Sequence, residues 1–371
     1  MLDTGLIFAI SERSTGFHID WKNGESSLFH YVWLRDCCYC EDCGDCHSSF
    51  RQYVPSMDSL KARPGSFSWN KDELCIEWGN DAHQSVYSVE WLNENRYDDR
   101  ARSSRRFTYS SWNASTNLPD LSFDFEQVST NEVSRLELQT RLISHGVVIV
   151  RGGTCSVGSV ISFAELTGEV EQSAYGAVFD LRPGNAAGTA GIETLACVQP
   201  AESGGDSILV DGFGIAQALR EDHPLCFESL ATWNHHYVRF HPGKLYQRAH
   251  VPIISLDDDG EISGIRLHTR ASAPLDLPEN VMETYLEAYH RLCTMMLAPE
   301  NQMRVSLGPG DAIIFDNHRA LHARTAFSDQ RRFLQICSVS REKFHESFRL
   351  LATRLGYFEL ANKVLRAGSC R

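Results

Sequence analysis

Five cysteines fall within ten residues, at Cys37, Cys38, Cys40, Cys43 and Cys46. Three of them follow the pattern Cys38-x-Cys40-x2-Cys43, close enough for one loop to turn all three thiols onto a single ion. Zinc takes four tetrahedral ligands, with sulfur at about 2.3 Å and imidazole nitrogen at about 2.0–2.1 Å. A fourth ligand is therefore required. Cys46, Cys37 and His47 are local candidates, and His83 in Asn80-Asp81-Ala82-His83 is a distant one. A closed four-ligand site has no position open to substrate and is structural; the plainer alternative is a loop of unligated thiols. Twelve cysteines spread unevenly over 371 residues fit a metal site in a reducing compartment better than a disulfide scaffold.

A second constellation lies between Pro309 and Arg332. A turn at Pro309-Gly310 launches the apolar run Ala312-Ile313-Ile314-Phe315, a polar loop presents His318 and His322, and Arg332 follows ten residues beyond His322. An isolated histidine is usually structural. One that leaves a buried strand, with an arginine opening the next, fits a metal ligand beside a carboxylate clamp, because the guanidinium fork pairs bidentately with a carboxylate. Asp257-Asp258-Asp259-Gly260 lacks the spaced carboxylates of a calcium loop and reads as a hairpin-type turn.

The elements that must position these groups are mostly short strands. Alternation predicts strands at Phe17 to Trp21, Phe29 to Leu34, Leu74 to Trp78 and Ser85 to Leu92, and six of the seven tryptophans precede residue 113. Residues 1–105 read as a small β-rich domain, 106–128 as a linker and 129–371 as a second domain. The second opens with a helix from Ser129-Thr130-Asn131-Glu132 to Gly146 and a buried strand at Val147 to Arg151. Strands follow at Ser207 to Val210, Ile253 to Leu256, Ile265 to His268, Ala312 to Phe315 and Phe333 to Val339, with helices near 159–168, 213–221 and 279–297. The whole is mainly β with flanking helices, a double-sheet fold. Thirty-five Lys plus Arg against 48 Asp plus Glu leave a charge of −13, which disfavours nucleic acid. No apolar run reaches the roughly 18 residues of a membrane span, and no signal peptide is read. A cytoplasmic or organellar interior is expected.

Phe29-His30-Tyr31-Val32-Trp33-Leu34-Arg35-Asp36 with its cysteines, Ala174-Tyr175-Gly176-Ala177-Val178-Phe179, Gly204-Gly205-Asp206-Ser207, Val210-Asp211-Gly212-Phe213 and Phe315-Asp316-Asn317 through His322-Ala323-Arg324 occur in this order. In this the chain resembles the γ-butyrobetaine and trimethyllysine hydroxylases of carnitine biosynthesis, TauD-like iron(II)- and 2-oxoglutarate-dependent dioxygenases. The resemblance implies a double-stranded β-helix (jelly-roll) catalytic domain behind an N-terminal zinc-binding domain. It implies zinc on Cys38, Cys40, Cys43 and His83, iron on His322, and the far carboxylate of 2-oxoglutarate on Arg332, with Asn185 as a further cofactor contact. Tyr175 and Phe179 would supply part of an aromatic surround for a trimethylammonium group, although core packing also accounts for Phe179. The implied reaction is hydroxylation of a small quaternary-ammonium substrate, and a homodimer is the implied assembly.

The sequence departs from the family in one place. The family's other two iron ligands come from a His-x-Asp motif, and the link Leu181 to Ile192, where it belongs, contains no histidine. About twenty residues and a core strand near 185–192 are missing by comparison with the family. Ser338 also stands where a tyrosine is expected after Arg332. The competing reading is a non-catalytic, zinc-containing binding protein on the same scaffold.

Overall fold

The computed structural model describes residues 6–44, 51–79, 82–173, 176–182, 191–243 and 245–365. The chain divides into two compact units, Met1–Arg106 and Phe107–Arg371.

The first unit holds two three-stranded antiparallel sheets, β1 (Ile7–Glu12), β2 (Gly16–Trp21) and β3 (Ser26–His30), then β4 (Pro64–Trp69), β5 (Glu73–Trp78) and β6 (Gln84–Ser88). Alternate residues Phe17, Ile19 and Trp21 of β2 and Leu74, Ile76 and Trp78 of β5 turn into one core, as the two-residue repeat of a strand requires. Two expected strands end early. β3 stops at His30 and Tyr31–Asp36 is helical, burying Tyr31, Leu34 and Arg35. Likewise β6 stops at Ser88, whose side chain accepts from Trp91 N and caps the helix Val89–Glu94. Apolar runs this short satisfy either period; at Ser88 the side-chain cap favours the helix, whereas His30 offers no such cap.

The second unit is built on a six-stranded sheet. It comprises β7 (Ser122–Asp124), β8 (Val147–Arg151), β9 (Phe179–Leu181), β10 (Ile192–Gln199), β17 (Ala312–Asp316) and β19 (Phe333–Val339), in the order β7-β8-β17-β10-β19-β9. Facing it are β11 (Ser207–Asp211), β16 (Met303–Val305) and β18 (Ala320–Arg324), in the order β16-β11-β18. Between the two sheets lie Val147, Ile149, Ile313 and Phe315 against Leu209, Met303, Val305 and Ala320. The outer face of the large sheet, through Val148, Val150, Ala196, Ile314 and Val339, packs under helices that contribute Leu136, Leu142, Phe163, Phe344 and Phe348. This is the jelly roll with flanking helices that the sequence implied. Two further hairpins, β12 (Asn234–His241) with β13 (Leu245–Pro252) and β14 (Ile254–Leu256) with β15 (Ile262–Ile265), complete the strands. In the second, Asp257 Oδ1 accepts from the amides of Asp259 and Glu261, so the acidic run is a turn.

Residues 107–128 lie within the second unit, where Trp112 is buried and β7 pairs in parallel with β8. Asn131 caps the helix Glu132–His145, and Gly146 ends it in the left-handed region at φ 76°. A Cβ at Gly146 would stand 2.6 Å from Arg319 Cδ, so only glycine admits that side chain. Arg319 is almost wholly buried; it donates to Asp211 Oδ1 at 3.0 Å, Ser144 O at 2.7 Å and Ser110 O at 2.6 Å. One guanidinium thereby ties the start of β18 to the end of β11.

Candidate functional site

In the first unit, His83 Nε2 lies 3.4 Å from each of Cys38 Sγ, Cys40 Sγ and Cys43 Sγ, and all four ligand atoms lie within 4.8 Å of one another. Around a tetrahedral zinc, nitrogen and sulfur should stand roughly 3.6 Å apart given ordinary bond lengths, so the donor set fits. The loop makes the turn because Cys43 N and Gly44 N both donate to Cys40 O at 3.0 Å. His83 is presented by a tight turn in which Ala82 N donates to Trp78 O and Trp78 N to His83 O. Ala82 takes φ 53° there, a left-handed conformation that costs an L-residue about 1–2 kcal/mol. Burial pushes the Cys43 thiol up to about 11, opposed by Arg35, so binding zinc would displace protons. Arg35, itself buried, donates from Nη1 to Cys43 Sγ at 3.4 Å and stacks 4.5 Å from the Tyr53 ring. Of the other candidate ligands, Cys37 lies outside the cluster, and Cys46 and His47 fall outside the described residues.

Of the second constellation, His322 and Arg332 come to neighbouring residues, Ser207 and Gly205, whereas His318 turns to Asp316. His322 sits on β18 opposite Leu209 of β11, on the face that looks between the sheets, with its ring 5.3 Å from that of Phe315. Its Nε2 hydrogen-bonds Ser207 Oγ at 3.2 Å. Desolvation by the surrounding protein, then the charges of Arg332 and Arg324, pull the imidazole down to about 4. A ring shifted in that direction is neutral at pH 7.

Arg332 is 4% exposed and donates from Nη2 to Gly205 O at 2.9 Å. Gly205, at φ +77°, has to be glycine here: a Cβ would stand 2.8 Å from Arg332 Nε. Together Gly205, Arg332, Ser207, Cys197 and Leu334 line a cavity of about 240 Å³. Ser207 thus touches both the cavity and His322.

Phe179 is half-buried on β9 opposite Ile336, packed with Leu181, Leu195 and Leu334. Tyr175 and Asn185 lie outside the described residues. Among the described residues, the Cys38, Cys40, Cys43 and His83 cluster is the only group of three or more metal-ligating side chains, and none forms around His322. β18 pairs with β11 alone among the described strands. Three groups have no role in the sequence reading, although Ser207 and Arg324 stand within its motifs. Ser207 and Arg324 share a cross-strand pair, and Glu193 is a buried carboxylate facing Ser338 and Phe315 across β10. The two-residue repeat counted from His322 and Leu195 would have placed Arg324 and Glu193 on the inner face.

Two family models match the chain in tandem. The model described as gamma-butyrobetaine hydroxylase-like, N-terminal, covers residues 8–93, and the one described as taurine catabolism dioxygenase TauD, TfdA family, covers 105–338. Among characterised relatives, the gamma-butyrobetaine dioxygenase of Pseudomonas sp. (strain AK-1) is 29% identical over 89% of this chain and 92% of its own length. The Homo sapiens gamma-butyrobetaine dioxygenase is 26% identical over 85% and 89%, respectively. The mitochondrial trimethyllysine dioxygenase of Gallus gallus is 25% identical over 91% and 86%.

Proposed function

The chain belongs to the taurine catabolism dioxygenase TauD, TfdA family, and from that membership we propose that it is a 2-oxoglutarate-dependent dioxygenase hydroxylating a small quaternary-ammonium compound of the γ-butyrobetaine or trimethyllysine type. The observation that carries this reading is Arg332, a buried guanidinium on the wall of a cavity that Ser207 joins to His322. In it the far carboxylate of 2-oxoglutarate takes the fork of Arg332, with Asn185 as a further contact, and Phe179 with Tyr175 borders the substrate's ammonium group. Iron(II), when bound by such dioxygenases, supplies the oxidation of an unactivated C–H bond. His322 is the residue here that would hold it, neutral and with a nitrogen lone pair available. The described residues give it no three-ligand company, so they do not complete an iron site. Zinc on Cys38, Cys40, Cys43 and His83 belongs to the same reading and is structural.

We place the enzyme in the cytoplasm or an organelle interior; no helix among the described residues is long and apolar enough to cross a membrane. A homodimer, implied by the resemblance, is checked by light scattering.

The test is to supply iron(II), 2-oxoglutarate, oxygen and either γ-butyrobetaine or trimethyllysine, then to measure succinate and a product heavier by one oxygen. Substrate-dependent succinate with that product is the expected result. Neither succinate nor product, from protein that holds its zinc, would replace this reading with that of a non-catalytic binding protein.

A further inference from the structure

Arg331 and Arg332 are neighbours with opposite surroundings. Arg331 points outward and pairs with Asp329 and Glu202. Arg332 points inward, is 4% exposed, and among the described residues has no carboxylate partner; its donated hydrogen bond goes to the neutral carbonyl of Gly205. Arg324 is half-buried and likewise has no carboxylate partner among the described residues, although the chain carries a surplus of acids. These two cations share one ring. The Arg324 guanidinium lies 5.1 Å from the centroid of Phe327 and the Arg332 guanidinium 4.8 Å from the same centroid. Register places Arg324 directly across from Ser207, a wall residue of the cavity.

A buried, uncompensated charge is expensive, and a second like charge nearby makes it more so. A π-face offsets part of that cost for each cation, but it does not neutralise either. An anion between the two guanidiniums would.

We propose that Arg324 and Arg332 together form a two-cation clamp for one carboxylate of a small dicarboxylate, so that Arg324 is a further co-substrate-binding residue. The clamp rests on the reading above, in which Arg332 receives 2-oxoglutarate; what it adds is the second cation. Burial, then the charge of Arg324, lowers the pKa of Arg332 from its ordinary value, and burial together with the charge of Arg270 does the same to Arg324. The charge of a bound anion would oppose both shifts.

Calorimetric titration of 2-oxoglutarate into the full-length, zinc-containing protein without added iron tests this. Arg324→Met should weaken binding about tenfold or more, the scale of one charge-assisted hydrogen bond. Arg324→Lys should recover part of that loss and Arg332→Met should lose more. Zinc content and thermal midpoint, unchanged in Arg324→Lys, separate a binding loss from misfolding. If Arg324→Met and Arg324→Lys bind as tightly as the parent while Arg332→Met does not, the clamp is wrong and the Arg332 reading stands. If Arg332→Met also binds normally, or the parent shows no binding at millimolar 2-oxoglutarate, the Arg332 reading falls and the clamp with it.

Discussion

Zinc bound by three thiolates and a neutral imidazole carries a net charge of −1, and Arg35 is the buried cation in contact with that cluster through Cys43. Removing it leaves the metal's charge uncompensated in a poorly solvated place. Arg35→Met should therefore still take up zinc but lose it to a chelator about tenfold faster, in the range found when groups behind the ligands are removed, whereas Cys40→Ser or His83→Ala should purify with little zinc. Metal analysis and the rate of release to a chromogenic chelator check both, and full zinc retention in Cys40→Ser would discard the ligand set. A second buried charge sets acid behaviour. Burial alone would raise the Asp316 carboxyl, but the Arg341 guanidinium, with Nε 3.0 Å from both carboxylate oxygens, and His318 hold it well below the usual carboxylate range. A depressed carboxylate contributes stability that is present above its unfolded pKa, about 4, and is lost as pH falls through the folded value. Arg341→Met should cost about 3–5 kcal/mol at pH 7 by stranding the charge. The cost should shrink below about pH 5, as the unpaired Asp316 protonates. Urea midpoints at pH 7 and pH 4 measure the difference; an equal cost at both would show that Asp316 is not the group responsible.

Some strands were legible in sequence because tertiary context imposed nothing the local pattern did not already say. Phe333–Val339 and Val147–Arg151 are apolar runs buried on both faces, one face under helices and the other between sheets. Phe29 to Leu34 misled because a short run of large apolar side chains suits a strand locally, whereas the fold buries Tyr31 and Leu34, which share one side of a helix turn but would lie on opposite faces of a strand. The same logic divided the site. Cysteine spacing is a local property and marked the loop whose thiols meet His83, whereas Arg324 and Glu193 take their places only through the pairing of β18 with β11 and of β10 with β17 and β19. β18 itself makes a prediction at this scale. Among the described strands it has one partner, so every second amide should face away from β11 with no ladder bond. Hydrogen exchange along Ala320–Arg324 should alternate fast and slow, while β17, flanked by β8 and β10, should be protected throughout. Uniform protection of β18 would mean that a further strand covers its edge.

At the scale of the molecule, each unit closes its own core. Phe17, Phe29, Leu74 and Trp78 belong to one cluster within Met1–Arg106, and the clusters around Phe163, Leu209 and Tyr285 lie wholly within Phe107–Arg371. The four candidate metal ligands bridge distant parts of the first unit, since Cys38 to Cys43 and His83 are separated by two strands, β4 and β5. Metal binding there adds its free energy to the folding of that unit alone. Calorimetric unfolding of the intact chain should accordingly resolve two transitions. A strong zinc chelator should lower one by several degrees while leaving the other in place, because a ligand stabilises only the cooperative unit whose folded form it binds. Cys40→Ser should displace the same transition without chelator, and Arg319→Met, which breaks the buried pair with Asp211 in the second unit, should displace the other. A single transition that chelator and both substitutions move together would show that the two units unfold as one.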